Sequence, residues 1–576
     1  MEPLKFEFGK KAIGSGTLYG CPKDGGSAGA LDFGFVTDEN ADGNEFLRIP
    51  ELNSGFLKND NAGTARIIQL ADTPLGVKSV YTGDGAVPVL FKADVPEEGN
   101  YLVKVVISAE EDTDGLLFIG RRRLVMKRHF KKGSAFAGVY PANAAPFIPR
   151  GKAEVFESRA IDVALVGRGL VLKSIEIKKS GIPCIYIAGD STLTDQSAVY
   201  PYDPAWSYSG WGQMLQYFVG TEMAVSNHAH SGLTTESMRS EGHYAILFDR
   251  IKKGDICLFQ FAHNDQKLDH LKAFEGYTEN LKRYIDEIRS KGATPVIVSP
   301  LARNTWKGNG TYNDLLEEYA AACRAISEKE NVPYIDLHAF SMDFEVKNGR
   351  ETARRWYFPS DYTHTNDYGA YLYAGFVYSK LCELGLLPGG AQTVDNTVMQ
   401  GAAGDCTALT AGGEWTPPAE PPVLRLPSED KDTGADTADG AAKDGRSAMP
   451  ISIDRPDDIL TRAEAFEMVI ATVKFFPTNV YNDMFVDVVG HEVYAGSIQC
   501  AWQNGIIPAS MLNDAERRIY PDKPATLAEF TEILRLGYLS RRPAGKVIES
   551  LDTCGLAADE VLTRKQAAYI CGQVTV

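Results

Sequence analysis

Between residues 181 and 388 short apolar runs alternate with helical stretches, and the first run ends abruptly in polar residues. Ile185-Tyr186-Ile187-Ala188 is followed at once by Gly189-Asp190-Ser191-Thr192. The strands expected here are Cys184–Ala188, Ile256–Phe261, Pro295–Val298 and Tyr334–Leu337. Helical periodicity marks Tyr277–Ser290 and Tyr312–Glu328. Strand–helix alternation of this length predicts a parallel sheet covered by helices on both faces. In open sheets of this kind ligands gather at the carboxyl ends of the strands. Ser191 falls at such an end. A hydroxyl there is chemically useful only with a base to take its proton and donors to receive an oxyanion.

The chain is 576 residues long, more than one core usually holds, so several domains are expected. Residues 1–180 read as all-β, with alternation in Tyr101, Val103, Val105 and Ile107 and frequent Gly, Pro, Asn and Asp punctuation. A β-sandwich of jelly-roll type fits, either sugar-binding or a brace for the next domain. Residues 181–388 form the α/β domain. Residues 389–450 are rich in Ala, Gly, Asp, Thr and Pro and read as a linker. Residues 451–576 contain a loose repeat: Thr461-Arg462-Ala463-Glu464, then Thr526-Leu527-Ala528-Glu529, then Thr563-Arg564-Lys565-Gln566. Each copy opens with a threonine suited to cap a helix, and Glu464 and Glu529 complete capping boxes.

Composition narrows the function. A formal charge of −17 disfavours nucleic acid and anionic membrane surfaces as partners. The basic cluster Arg121-Arg122-Arg123, with Lys127 and Arg128, is expected to be a solvated strand or turn face. Nine scattered cysteines without a CxxC pair argue against a zinc site or disulfide framework and for small buried side chains. No His/Asp/Glu cluster calls for a metal, and no cofactor is expected. The start, MEPLKFEFGKK, lacks the apolar core of a signal peptide, so the protein stays inside the cell or its leader lies outside this sequence.

Four blocks in and after the α/β strands carry the candidate chemistry. Gly189-Asp190-Ser191 offers a nucleophile or a plain turn. Asn227-His228-Ala229-His230-Ser231-Gly232 offers, at Gly232, a backbone N–H close to a ligand, or an ordinary loop. Ala262-His263-Asn264-Asp265 offers the Asn264 amide as an oxyanion donor, or a helix cap. Asp361-Tyr362-Thr363-His364 brings a carboxylate and an imidazole together before a helix, and imidazole exchanges protons near neutral pH.

In this order the blocks resemble the SGNH (GDSL-like) hydrolases, most closely the rhamnogalacturonan acetylesterase branch. The resemblance rests on Gly189-Asp190-Ser191-Thr192, His263-Asn264-Asp265 and Asp361-x-Thr363-His364-Thr365. It implies a flavodoxin-like α/β domain with Ser191 as nucleophile, His364 as general base and Asp361 orienting the imidazole. It also implies an oxyanion hole of the Ser191 and Gly232 N–H groups with the Asn264 side chain. Ala262 departs from the glycine usual at that position, and Ser231-Gly232-Leu233 departs from the branch's usual block. The C-terminal repeats resemble surface-layer homology motifs, with Leu527, Lys565 and Gln566 departing from the pattern.

The function implied is an esterase removing acetyl groups from plant cell-wall polysaccharide, extracellular or on the cell surface, with the repeats contacting wall polysaccharide. Two other readings stay open: an esterase or lipase for another small acyl ester, and a non-catalytic glycan-binding envelope protein. Because the base must be neutral to accept a proton, the esterase readings expect activity to fall on acidification.

Overall fold

The computed structural model describes residues 2–9, 17–19, 26–28, 31–48, 55–58, 67–83, 85–149, 153–157, 159–306, 311–358, 361–387, 456–473, 475, 485, 487–488, 494–512, 518–541, 551–553 and 555–574. The expected linker, 389–450, lies outside the described residues, as do Cys21, Cys406 and Cys554. Two compact units emerge: the described residues of Met1–Leu301, Leu316–Ser341 and His364–Leu424, and those of Ala302–Leu315, Met342–Thr363 and Arg425–Val576.

The first unit begins with two sheets sharing one core. One has the order Ala135–Ala144, Gly99–Ala109, Leu170–Lys179, Leu4–Phe8, Thr17–Tyr19, with the hairpin Leu70–Thr73/Gly76–Ser79 added against Leu170–Lys179. The other runs Arg123–Phe130, Thr113–Ile119, Ala160–Val166, Val89–Asp94, Leu31–Val36, Gly26–Ala28. Period-two alternation sends Tyr101, Val103, Val105 and Ile107 inward, where they share a core with Val163, Leu165 and Phe91 of the other sheet. Phe6, Phe8, Phe33, Phe35 and Phe91 form a tilted and edge-to-face aromatic cluster at its centre.

Next comes a five-stranded parallel sheet, ordered Ala224–Asn227, Cys184–Gly189, Ile256–Gln260, Thr294–Val298, Tyr334–Ile335. In chain order this is 2-1-3-4-5, so the direction of winding reverses between Cys184–Gly189 and Ile256–Gln260. Loops leaving these two strands therefore diverge and leave a crevice at their carboxyl ends. Cys184, Tyr186 and Ala188 pack into a core with Tyr277, Leu281 and Ile285 on one face; Ile185 and Ile187, equally buried, point to the other. Gly189 is needed where the first strand ends, because a Cβ there would lie 2.2 Å from the Gln260 carbonyl oxygen.

Four strands and both helices were legible in the sequence, with shifts at their ends. The fifth strand, Ala224–Asn227, has only four residues and too short a period to read. The helix expected from Tyr312 begins at Glu317, because Tyr312 is bridged to Trp306 and Asn313 donates its N–H to the Thr305 carbonyl at 2.8 Å.

The expectation for the basic cluster is overturned for Arg121, Arg122 and Arg123, while Lys127 is exposed as expected. Arg122 is fully buried, Arg123 is 6% exposed, and each guanidinium meets acceptors in the α/β domain. Arg121 and Arg123 both pair with Asp195, at 3.1 and 2.9 Å. A run of like charge is driven to solvent only when it lacks partners; here carboxylates and carbonyls from residues far along the chain supply them.

In the second unit, helices Arg462–Thr472, Leu527–Arg541 and Arg564–Cys571 each begin after the expected threonine cap. They are linked cyclically. The N–H of Arg462 donates to Lys523 O, that of Leu527 to Glu560 O, and that of Arg564 to Asp458 O. The side chains follow the same rotation: Arg462 pairs with Glu529 and Arg564 with Glu464. By that rotation the third pair is Leu527 with Gln566, where both charges are replaced together. Gln566 keeps the other duty of the motif, accepting the Thr563 N–H at 2.8 Å. Removing one member of a half-buried ion pair strands the other, whereas removing both does not. Arg462→Leu is expected to cost about 2 kcal/mol in thermal or denaturant unfolding. The pair Arg462→Leu/Glu529→Gln, which copies the third position, should cost about half as much.

Candidate active site

At the strand reversal the structure brings together candidate residues of two sequence blocks. Ser191 and His364, 173 positions apart, are 4% and 5% exposed, and the Ser191 Oγ lies 2.8 Å from His364 Nε2. Ser191 lies two residues after the end of strand Cys184–Gly189; His364 lies just before helix Asp367–Glu383, whose N-cap is Asn366. The Asn366 carboxamide accepts the Gly369 N–H at 3.1 Å, fixing where the helix starts and hence the height of the imidazole. The Tyr208 ring stands edge-on to the imidazole, with centroids 6.1 Å apart.

The turn carrying Ser191 is held by a buried network. Asp190 accepts the Thr192 N–H and hydroxyl on one oxygen, at 3.0 and 2.7 Å, and faces His263 Nδ1 at 3.2 Å on the other. His263 Nε2 faces the Leu301 carbonyl at 2.9 Å. Both ring nitrogens thus meet oxygen acceptors, which an imidazolium satisfies in full. Burial alone would raise the Asp190 pKa, but the His263 charge and the donors around the carboxylate outweigh it and hold the acid below its ordinary range. The chain of contacts continues through Thr192 to the Gln260 amide and on to the Trp211 indole, 2.8 Å from Gln260 Oε1.

Among the described residues no acceptor is found for the N–H of Ser191 or of Gly232. Gly232 has φ +86°, a conformation that favours glycine. Asn264 stands at the N-cap position of the short helix Asp265–Lys267, but its side chain makes no capping hydrogen bond: its amide donates to Leu233 O at 3.0 Å and its oxygen accepts from Lys267 Nζ at 2.9 Å. One N–H of that amide has no acceptor among the described residues. Asp361 is fully buried and its Oδ1 accepts the Thr363 N–H at 2.8 Å.

The other histidines of the second block have different duties. His228 hydrogen-bonds Ser226 at 2.9 Å, and burial, reinforced by Arg121 and Arg123, pushes its pKa well below the ordinary value. The two His230 nitrogens face the carbonyls of Ser231 and Pro149. His243 is pushed down to about 3, chiefly by burial. Among the described residues no group of His, Cys, Asp and Glu could hold a metal ion. No helix among them is long and apolar enough to cross a membrane. The six described cysteines are free, five of them buried.

A hydroxyl hydrogen-bonded to an imidazole, at the carboxyl edge of a parallel sheet, defines the class: an α/β ester hydrolase. The profile of the GDSL-like lipase/acylhydrolase family matches residues 187–372. Rhamnogalacturonan acetylesterase RhgT of Bacillus subtilis (strain 168) is 33% identical over 215 residues, covering 35% of this chain and 90% of the relative. The probable rhamnogalacturonan acetylesterase YesY of the same organism is 32% identical over 210 residues, covering 35% and 94%. Rhamnogalacturonan acetylesterase of Emericella nidulans is 26% identical over 243 residues, covering 37% and 92%. The chain belongs to the GDSL-like lipase/acylhydrolase family and is a carboxylic ester hydrolase.

Several residues around the site carried no signal in the sequence. Trp211 and Gln260 act through side-chain contacts across long separations, and nothing in their immediate neighbours announces that. Ala262 stands where a glycine is usual, and the structure gives the consequence: its φ is +110°, where an L side chain is strained. The Asp265 carboxylate, accepting the Ala262 N–H at 3.1 Å and the Thr235 N–H and hydroxyl at 2.8 and 2.6 Å, holds that backbone in place. Ala262→Gly is therefore expected to raise stability by about 1 kcal/mol, strain relief exceeding the added chain entropy. Chemical unfolding of the two proteins side by side checks it.

Proposed function

We propose that the protein is a serine esterase that removes acetyl groups from plant cell-wall polysaccharide of the pectic rhamnogalacturonan type. The observation that carries the reading is the 2.8 Å hydrogen bond between Ser191 Oγ and His364 Nε2. In this mechanism His364 takes the hydroxyl proton as Ser191 attacks the ester carbonyl carbon. The Ser191 and Gly232 N–H groups and the Asn264 amide receive the oxyanion of the tetrahedral intermediate. His364 returns the proton to the departing sugar oxygen, leaving Ser191 acetylated. Water, deprotonated by the same imidazole, then releases acetate. Asp361 is the residue that orients His364, a role resting on the Asp-x-x-His spacing.

The substrate class rests on the relatives, two named rhamnogalacturonan acetylesterase and one probable rhamnogalacturonan acetylesterase. The two-sheet region is read as a jelly-roll sandwich beside the esterase. The C-terminal helices are read as surface-layer-like repeats that contact wall polysaccharide, which places the enzyme outside the cell or on its surface. A second reading keeps the same chemistry and changes the ester, since Ala262 and Ser231-Gly232-Leu233 depart from the branch's pattern.

Acetate release from acetylated rhamnogalacturonan, acetylated xylan and p-nitrophenyl acyl esters separates the two readings, with turnover of the pectic polymer highest under the first. Ser191→Ala should lower kcat by at least about 10⁴-fold on any ester, and Asn264→Ala by about 10²–10³-fold. Equal hydrolysis by wild type and Ser191→Ala would end the esterase mechanism proposed here.

A further inference from the structure

The side chain that joins the nucleophile's loop to the base's helix comes from neither. Arg122 lies in the turn between strands Thr113–Ile119 and Arg123–Phe130 of the two-sheet region. Its backbone is left-handed, with φ +54°, and its side chain is fully buried. All five N–H donors of the guanidinium are used. Nε donates to Gln196 O at 3.1 Å; Nη1 donates to both Asp367 oxygens at 2.8 Å; Nη2 donates to Tyr208 O and, at 3.1 Å, to Gln213 Oε1.

Those acceptors sit on the two halves of the site. Gln196 belongs to the loop after Ser191, and its amide donates to the Ser191 carbonyl at 3.3 Å. Asp367 opens the helix three residues after His364 and also accepts from Tyr202. Tyr208 packs edge-on against the His364 ring. Its neighbour Ser209 donates its N–H to Thr365 O at 3.0 Å and accepts the Thr365 hydroxyl, clamping the residue that follows His364.

We infer that Arg122 is a positioning residue for the esterase reaction: it sets the Ser191–His364 separation, so the N-terminal two-sheet region is part of the catalytic apparatus. The inference rests on the Ser191/His364 reading above. Arg122 touches neither reacting atom. It acts by tying, through one rigid planar fork, the Gln196 loop to Asp367 at the start of the helix. A displacement of about 1 Å in a proton-transfer pair lowers turnover on the order of 10²-fold without weakening substrate binding.

The test uses the full chain and p-nitrophenyl acetate. Arg122→Gly suits the left-handed backbone and leaves a guanidinium-sized gap. Arg122→Met/Asp367→Asn removes the side chain without leaving a buried charge unpaired. Both are expected to lose about 10²-fold in kcat with KM within about twofold of wild type. Guanidinium chloride at tens of millimolar should restore at least about tenfold of kcat to Arg122→Gly, and sodium chloride should not. Arg122→Lys, which cannot serve five acceptor sites, should stay impaired. Thermal unfolding is recorded for each variant. The inference is overturned if the double variant melts near wild type and retains wild-type kcat. It is also overturned if kcat returns only in step with melting temperature, or if guanidinium and sodium act alike. Ser191→Ala run alongside separates the two claims: activity surviving there removes the underlying reading, whatever the Arg122 variants do.

Discussion

A charged group taken from water must find partners in the interior, and this constraint arranges the site. Asp190 is fully buried one residue before Ser191, and Asp367 is buried three residues after His364. Each carboxylate would be prohibitively costly alone. Asp190 meets His263 from the neighbouring strand's loop, and Asp367 meets Arg122 from a different sheet. The directions demanded by those pairings fix the loops more tightly than apolar packing would, because hydrogen bonds to ionised groups lose strength quickly when misaligned. Ser191 and His364 inherit their separation from partners that never contact a substrate.

The parallel sheet supplies the coarse geometry. Its 2-1-3-4-5 order places the loops after Gly189 and Gln260 on either side of the reversal. The two-sheet region gives rigidity at a distance, through a turn whose three consecutive arginines face inward. Arg121 also lies over the Phe147 ring at 3.9 Å, and Arg123 donates to Val225 O at 2.9 Å. The turn is thus anchored to the edge strand as well as to the helix start.

What the sequence revealed and what it concealed differ by range. The strand ending in Gly189-Asp190-Ser191 was legible because apolar run, glycine and polar cluster are adjacent. The threonine caps at 461, 526 and 563 were legible because a capping box closes over three residues. The buried fate of Arg121-Arg122-Arg123 was not, since Asp195 and Asp367 lie 72 to 245 positions away and local composition favours solvent. Tyr312 shows the same effect on a smaller scale: its helical period is real, but a bridge to Trp306 takes the residue away. Chain neighbours set the periods; distant partners decide which of them survive.

The three capped helices of the second unit have one seam unlike the other two. Were all three seams charged, a helix from another molecule could enter any of them with its electrostatics satisfied, inviting exchange between copies. At the neutral seam an intruding arginine would meet Gln566, and an intruding glutamate would meet Leu527. The uncharged position therefore has no charge to strand if the helices part, whereas the Arg462–Glu529 and Arg564–Glu464 seams each do.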